Sequence, residues 1–359
     1  MDTANSSVVG SSVPIGGGLQ PPDVNDLGQD VNGLPKTPSQ SILNEKHVIR
    51  GAGKEAINEF LDTHKAFEVI RTSGKVVVFD VRISVQLAFY ALVEHDMQAA
   101  PLWDASIREF VGLMTVTDFI SILRRYSQTS IPISDLASKS IADIITAPPE
   151  MGKLKHDIFD AADVSATLGQ CCRLMHAKGV DFLPVILPSD ARVLACISYT
   201  AILEYLVTHF REQRRLFDDS IYDLNIGTYE NIVTVKAEQP LRDVLSVIES
   251  RGLSAVPVVD DAGVVVNVYS ASDITFLATA TDADSAVSNL SLSLGSILSQ
   301  QRSDVSTHDR LYTCSRNSTL QSVFEIFASV KFNRLICVNE EGRCNGIMSA
   351  RDLVSYFVG

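Results

Sequence analysis

The stretch AVPVVDDAGVVVNVYSASD, residues 255–273, decides the fold of this chain. It opens with a short apolar run that is typical of a buried strand. The residues Asp260–Gly263 supply turn chemistry, and Val264–Tyr269 predicts a further strand. Ser270 and Asp273 then have the Ser-x-x-Asp spacing that begins a helix. The stretch therefore predicts strand, turn, strand and helix in succession.

The residues before this stretch complete one structural unit. Ile232–Val235 alternates like a strand, and Pro240 stands where the first turn of a helix accepts proline. The helix should end near Gly252, a residue type that is common just after a helix. Its apolar stripe recurs at helical spacing and consists of Leu241, Val244, Leu245 and Ile248.

The same unit is written four times along the chain. Two reference positions align the copies: the centre of the buried strand and the third residue after the Ser or Thr that begins the second helix. They are 17, 17, 16 and 16 residues apart in the pairs Pro101–Asp118, Pro184–Ala201, Pro257–Asp273 and Ile336–Asp352. A fixed period of this kind indicates a repeat architecture. Because so small a unit buries a limited core, we expect two tandem pairs of repeats.

Composition and charge set limits on the function. Of 359 residues 46% are apolar and 20% are charged, the balance of a globular protein. A formal charge of −13 argues against nucleic-acid binding, and no apolar run is long enough for a membrane span. The six cysteines lack paired spacing, so we expect free thiols in a reducing compartment and no metal site.

These observations predict an α/β protein of tandem strand–helix–strand–strand–helix repeats, with order beginning near Lys54. Residues up to about Pro38 are rich in Gly, Ser, Pro, Asn and Asp, so we expect them to be disordered. The predicted domains are a tail at 1–53, repeat 1 with a leading helix at 54–135, repeat 2 at 136–215, repeat 3 at 216–285 and repeat 4 at 286–359.

The repeat resembles the cystathionine-β-synthase (CBS) domain. The segments Gly112–Asp118 and Gly346–Asp352 match its G-x-(I/V/L)-(S/T)-x-x-D pattern closely. Four such repeats without an attached enzyme, together with the string IGTYENI at Ile226–Ile232, resemble the gamma subunits of AMP-activated protein kinase. The resemblance runs from about Phe60 to the C-terminus.

The resemblance implies two paired modules in a flattened disc, whose central clefts hold AMP, ADP or ATP as regulatory ligands. It also implies a heterotrimer with a catalytic alpha kinase subunit and a beta scaffold subunit, in the cytoplasm and also in the nucleus. It implies no catalytic residue and no other cofactor. Partner contact through the first-pair sheet edge and the segment Lys54–Ile70 is a further expectation.

The Ser/Thr-x-x-Asp elements have two interpretations. A capping box explains the spacing without any ligand. Alternatively, a helix N-terminus receives phosphate while the carboxylate binds the ribose hydroxyls. The resemblance favours nucleotide binding for Asp118, Asp273 and Asp352, whereas Ala201 leaves repeat 2 without such an acid. The candidate residues at these helix starts are Thr115, Thr117, Asp118, Ser270, Asp273, Ser349 and Asp352.

Adenine and phosphate require further groups. Ser254 and Ala255 are plausible adenine walls beside Leu113, Val256 and Val233, each of which is also explained as sheet core. Thr228 resembles the family threonine that contacts the nucleotide. For phosphate, Arg302 and Arg334 stand where the family places arginines. The first pair has lost expected basic residues at Gln98, Asp181, Phe182 and Thr200. We therefore expect nucleotide binding mainly in the second pair.

Three functions remain open at this point. No GxxxxGK[ST], GxSxG or HExxH motif is present, so a non-catalytic protein is expected. The first function is a nucleotide-binding regulatory subunit of an energy-sensing kinase. The second is a gamma-like scaffold with weakened sensing, and the third is a CBS module that serves another enzyme or transporter.

Overall fold

A computed structural model describes residues 38–70, 76–127, 133–147, 154, 158–190, 192–210, 218–279, 288–301, 311–329 and 334–359. The chain divides into two units, residues 1–49 and 50–359. In the first unit, the described residues are helical.

Four three-stranded sheets organise the described residues of the second unit, one for each predicted repeat. Every repeat follows the order strand, helix, strand, strand, helix, so the predicted fold class is confirmed. Repeat 1 contains β1 (Phe79–Asp80), α3 (Val85–Glu94), β2 (Ala99–Asp104), β3 (Glu109–Thr115) and α4 (Val116–Ser127). Repeat 2 contains β4 (Ala162–Asp163), α7 (Leu168–Lys178), β5 (Phe182–Leu187), β6 (Arg192–Ser198) and α8 (Tyr199–His209).

The second half of the chain repeats this order. Repeat 3 contains β7 (Val235–Lys236), α9 (Leu241–Ser250), β8 (Ala255–Val259), β9 (Val265–Ser270) and a 3-10 helix (Ala271–Thr279). Repeat 4 contains β10 (Thr313–Cys314), α11 (Leu320–Ser329), β11 (Arg334–Val338), β12 (Cys344–Ser349) and α12 (Ala350–Val358). Linking helices are α1 (Pro38–Thr63), α2 (Ala66–Val69), α5 (Ile133–Ser138), α6 (Ile141–Ile145) and α10 (Leu294–Gln301).

The strand register explains the reference spacing found in the sequence. Each buried-strand reference residue lies opposite a residue of the following antiparallel strand, in the pairs Pro101–Leu113, Pro184–Cys196, Pro257–Val268 and Ile336–Ile347. The offset is 12 residues in repeats 1 and 2 and 11 in repeats 3 and 4. The difference lies in the hairpin turn, because Gly263 and Gly342 adopt positive φ values of 80° and 75° and close the shorter turn.

Helix α1 begins at Pro38, earlier than the start of order expected near Lys54. Proline is favoured at the first position of a helix, where its missing N–H costs nothing. The predicted tail includes residues 38–53, but polar residues can extend a helix whose later turns are buried. Residues 1–37, which form most of the predicted tail, lie outside the described residues.

The hydrophobic cores join repeats that are not neighbours in sequence. One core combines buried residues of repeats 1 and 3, including Leu92, Ile120 and Leu245. The other combines repeats 2 and 4, including Leu203 and Phe357. The second helices supply much of each core, so α4 packs on α9 and α8 packs on α11 and α12. Tandem repeats 3 and 4 meet instead through their sheets, in a smaller core around Val268 and Ile336.

The linking segments also cross between repeats. The leading helix buries Ile57 and Leu61 in the core of repeats 2 and 4, although the predicted boundaries assign it to repeat 1. Lys65 bridges to Thr167 at the first helix of repeat 2. Conversely, α6, which precedes repeat 2, packs on repeat 1, where Ser140 bridges to Ser84. In each case the segment that precedes one repeat packs on the other repeat of the tandem pair. Repeats 3 and 4 exchange their leading segments in the same way, through the bridges Pro240–Ser293 and Ser220–Thr319.

This exchange changes the expectation for the segment Lys54–Ile70. Ile57 and Leu61 are fully buried within the chain, so the apolar face of this segment is already occupied. Deleting the segment would expose the core of repeats 2 and 4 rather than remove a docking site alone. No helix among the residues described has both the length and the apolarity that a membrane span requires.

Candidate nucleotide site between the repeats

The helix start of repeat 1 buries its carboxylate. Asp118 Oδ2 accepts from the Thr115 backbone N–H at 2.7 Å and from Thr115 Oγ1 at 2.6 Å. Thr117 Oγ1 lies 2.7 Å from Thr115 Oγ1. Thr115 and Asp118 are 2% and 3% exposed, so the capping interaction holds the carboxylate within the protein. The geometry is that of the reciprocal half of a capping box.

The helix start of repeat 3 has the same arrangement with serine. The Ser270 backbone N–H donates to Asp273 Oδ2 at 2.7 Å, and Ser270 Oγ lies 2.8 Å from Ser272 Oγ. Both Ser270 and Asp273 are buried. Behind them the Tyr269 side chain is fully buried, and burial together with the nearby Asp273 raises the pKa of its hydroxyl well above the usual value. A helix begins here as predicted, but it is a 3-10 helix.

Arg334 connects repeat 4 to this helix start. It begins β11 of repeat 4, yet its Nη1 donates to Ser254 Oγ at 3.3 Å and its Nη2 donates to Ser270 Oγ at 3.4 Å, both in repeat 3. Ala255, next to Ser254, pairs with Ser270 across the sheet. The structure thus brings together five of the predicted residues, namely Ser254, Ala255, Ser270, Asp273 and Arg334.

The helix start of repeat 4 forms a complete capping box. Asp352 Oδ2 accepts from the Ser349 backbone N–H and from Ser349 Oγ, each at 2.7 Å, and Ser349 Oγ accepts from the Asp352 N–H. Asp352 is less buried than Asp118. Within the strand pair, Ser349 lies opposite Arg334. Ser349 and Asp352 therefore lie at the same end of the sheet as the arginine.

Thr228 contributes to repeat 4 through its backbone. It exchanges two hydrogen bonds with Ile347, at 2.8 and 2.9 Å, and so extends the edge of β12. Gly227 has a φ of 104°, and a Cβ there would lie 2.8 Å from the Ile347 carbonyl oxygen. Tyr229 packs over Gly346 and donates its hydroxyl to the Ile226 carbonyl at 2.7 Å. The string IGTYENI is therefore held against repeat 4 by backbone pairing and by one aromatic ring.

The acid at position 181 is paired with a cation from repeat 4. Arg351 Nη1 donates to Asp181 Oδ1 at 3.1 Å, and both side chains are about two-fifths exposed. In the sequence, Asp181 stands where a basic residue is expected in the first pair of repeats, and an unpaired acid there would repel phosphate. The contact changes that interpretation, because Arg351 offsets the negative charge and the acid in turn occupies the arginine.

A small cleft lies between the sheets of repeats 1 and 2. Leu113, Phe182 and Pro184 line it, together with Ile158, Phe159, Asp160 and Val180. Leu113, a predicted adenine wall, is thus at a repeat boundary, but it is nearly completely buried. Phe159 stacks on Phe110 with ring centroids 4.7 Å apart, so the side chain of Phe159 occupies one side of this cleft.

Several other residues have structural roles, and one candidate cannot be placed. Arg124 forms an ion pair with Glu249 of repeat 3. Trp103 packs edge-to-face on Phe110, and Cys171 and Cys172 are buried in α7. Arg302 lies outside the described residues. In repeat 2, Ser198 accepts from the Ala201 N–H, with no carboxylate at that position.

Arg351 is the charged residue that sequence reasoning missed. Aligned by their helix starts, the four repeats place Arg351 at the position of Thr117, Thr200 and Ser272. It is the one cation among these four positions, and that difference was visible in the sequence. Its partner was not, because 170 residues separate Arg351 from Asp181.

Comparison with known proteins finds related sequences for this chain. A model of the CBS domain matches residues 226–278 and 303–359. A 5'-AMP-activated protein kinase subunit gamma from Dictyostelium discoideum is 30% identical over 330 residues, 91% of this chain and 56% of that protein. This chain contains CBS domains and is similar to the gamma subunits of AMP-activated protein kinase. The Saccharomyces cerevisiae gamma subunit is 26% identical over 330 residues, 89% of this chain and 98% of that protein.

The chain matches only part of several relatives, and its fold is similar to that of a solved structure. The chain spans 56% to 62% of the length of the Dictyostelium discoideum, Bos taurus and Homo sapiens gamma subunits that it matches. A crystal structure from Methanocaldococcus jannaschii, of a protein described as a proposed archaeal homologue of the gamma subunit, has a TM-score of 0.62. It is 16% identical and covers 82% of this chain and 99% of that one, which supports the fold.

Proposed function

We propose that this chain is the regulatory gamma subunit of a kinase complex and that it binds an adenine nucleotide between repeats 3 and 4. The observation that carries the nucleotide proposal is the reach of Arg334 from repeat 4 to Ser254 and Ser270 of repeat 3. A guanidinium held at a helix start, beside backbone N–H groups, is suited to a phosphate group.

The buried carboxylate supplies the complementary function. Asp273 Oδ2 is bonded to the Ser270 N–H, which orients the carboxylate at the helix start. A carboxylate accepts hydrogen bonds from two adjacent ribose hydroxyls, and it is poorly suited to phosphate. Arg334 and Asp273 thus divide the site into an end for phosphate and an end for ribose.

Calorimetric titration of the full chain with AMP and then with ATP tests this site. Arg334→Ala removes charge-assisted hydrogen bonds that contribute about 1.5–3 kcal/mol, so Kd should rise roughly 10- to 100-fold. Asp273→Asn should weaken AMP binding while leaving inorganic phosphate binding unchanged. The matched control is Arg343→Ala, since Arg343 is an exposed arginine of the same repeat that pairs with Glu341. Equal losses in Arg343→Ala and Arg334→Ala would contradict the assignment.

The regulatory role rests on the family and on the fold. The proposed partners are a catalytic alpha subunit and a beta subunit, in the cytoplasm and in the nucleus. Co-expression with alpha and beta subunits from the same source, followed by size-exclusion chromatography, tests assembly. A kinase assay with and without AMP then tests regulation. A stable ternary complex whose activity ignores AMP, in a protein that binds AMP, would contradict regulation but not assembly.

A second candidate function is a scaffold with weakened sensing, and the Asp181–Arg351 ion pair favours it locally. Here Arg351, a cation in the first turn of α12, is engaged by an acid of repeat 2. Asp181→Asn would release Arg351, and a gain in ATP affinity in this variant would show that the acid suppresses a site. No binding of either nucleotide by the unmodified chain or by Asp181→Asn would leave the scaffold function.

A further inference from the structure

Two cysteines lie opposite each other at the centre of repeat 4. Cys314 on β10 and Cys337 on β11 are paired in the parallel strand register. Their Sγ atoms are 3.2 Å apart, within the protein interior. Cys337 is fully buried, whereas Cys314 retains 8% of its surface. Both are free thiols in the structure.

The backbone geometry suits a covalent bond between them. Neighbouring strands run about 4.7–4.9 Å apart, inside the Cα–Cα range of about 4.4–6.8 Å that disulfides span. The sulfurs would need to approach by only about 1.2 Å to reach the bonded distance. We propose that Cys314 and Cys337 form a reversible intrachain disulfide when the protein meets a peroxide. The proposal does not depend on nucleotide binding.

The surroundings of Cys337 favour the reactive thiolate form of this cysteine, whereas those of Cys314 raise the pKa of its thiol. Arg316 donates to the Asn345 carbonyl at 2.6 and 3.0 Å and to the Tyr229 carbonyl at 3.3 Å, which fixes its guanidinium near Cys337. The contact with Cys314 Sγ, together with the positive charge of Arg316, lowers the pKa of the Cys337 thiol, although burial acts in the opposite direction. Thiolate sulfur is the nucleophile in such oxidations.

The reaction balances with a peroxide as the oxidant. One sulfur of the pair, as thiolate, attacks a peroxide oxygen, and the O–O bond breaks to give a sulfenic acid and hydroxide. The thiol of the other cysteine then attacks the sulfenic sulfur. The S–S bond forms, the S–OH bond breaks, and the hydroxyl group leaves with the thiol proton as water. With hydrogen peroxide, two thiols yield one disulfide and two waters overall, and two electrons pass from sulfur to oxygen.

The other cysteines of the chain provide internal controls. Burial raises the pKa of Cys171 to about 11 and that of Cys172 to about 12, so thiolate is scarce at both positions. Burial likewise raises the pKa of Cys196 to about 12. Cys344 is in the same repeat as the pair and is half-buried, but its Sγ contacts the Gly346 carbonyl oxygen at 3.5 Å.

Peptide mapping of the full chain tests the proposal without any variant. The native protein is treated with hydrogen peroxide, alkylated under denaturing conditions and digested without reductant. We expect a peptide that links Cys314 to Cys337, a decrease of about 2 Da in intact mass, and restoration of both thiols by dithiothreitol. Alkylation of both cysteines after treatment, or a link that involves Cys344 instead, would overturn the proposal.

Cysteine-to-serine variants identify which cysteines form the disulfide. Cys314→Ser should abolish the mass decrease, and Cys344→Ser should leave it unchanged. Since Cys314 is in a core, thermal unfolding followed by circular dichroism checks that each variant is folded. A folded Cys314→Ser protein that still loses about 2 Da would show that another pair reacts. The mapping of the unmodified chain decides the question if a variant does not fold.

Discussion

Replacement of Gly346 by alanine should destabilise repeat 4 strongly, because an aromatic ring occupies the space of the missing side chain. An ideal Cβ at this position would lie 2.6 Å from Tyr229 Cδ1, 2.8 Å from Tyr229 Cε1 and 2.9 Å from Cys337 Cβ. Carbon atoms pack best at about 3.5–4.0 Å, so the closest of these contacts is roughly 0.9 Å too short. One of the neighbours must move.

The neighbours cannot move freely. Tyr229 is held by the hydrogen bond from its hydroxyl to the Ile226 carbonyl, by its contact with the Tyr222 ring and by the Arg316 guanidinium above it. The Cys337 Cβ is attached directly to a central strand. Overpacking of such a core costs about 1–3 kcal/mol, and we expect the upper part of that range.

Thermal unfolding of the full chain measures this cost. At roughly 2–4 °C per kcal/mol, Gly346→Ala should lower Tm by several degrees. Tyr229 provides two of the three short contacts. In a protein that already carries Tyr229→Ala, adding Gly346→Ala should therefore lower Tm by less than it does in the unmodified chain. The matched control is Gly263→Ala, where a Cβ meets nothing within 4 Å and only the φ of 80° opposes it. A Gly346→Ala protein as stable as the unmodified chain would refute the packing argument.

Three further predictions concern stability and ionisation. Gly51→Ala should raise the free energy of unfolding by about 0.5–1 kcal/mol, because Gly51 is inside α1 with no atom near its missing Cβ; chemical denaturation measures it. Ser349→Ala should cost about 1 kcal/mol by the same assay, since the capping hydroxyl of α12 is lost, and an unchanged midpoint would contradict the cap. Asp80 should titrate near pH 2 by NMR, because hydrogen bonds from Arg82 lower its pKa from 3.8 to about 2. Since the pKa of the folded state is the lower one, this pair stabilises the protein above the unfolded pKa and loses its contribution as the pH falls toward 2; Arg82→Ala should return the titration midpoint toward 3.8.

The sequence alone determined the repeat unit. Apolar alternation, turn residues and helix-start motifs act over a few neighbouring residues, so their consequences can be predicted without the rest of the chain. The paired reference positions at Pro101, Pro184, Pro257 and Ile336 each occupy equivalent places in the sheets. Likewise, Asp118, Asp273 and Asp352 each accept from the backbone of the residue that begins their helix, as their spacing predicted.

Only the tertiary structure decided which repeats share a core and which residues meet. An apolar stripe shows that a helix face is buried, but it does not name the surface that buries it, so the union of repeat 1 with 3 and of repeat 2 with 4 was not predictable. The same holds for the contacts of Arg334 with Ser254 and of Arg351 with Asp181. Those pairs are separated by 80 and 170 residues, and a charge in the sequence specifies the kind of partner it needs but not the position of that partner.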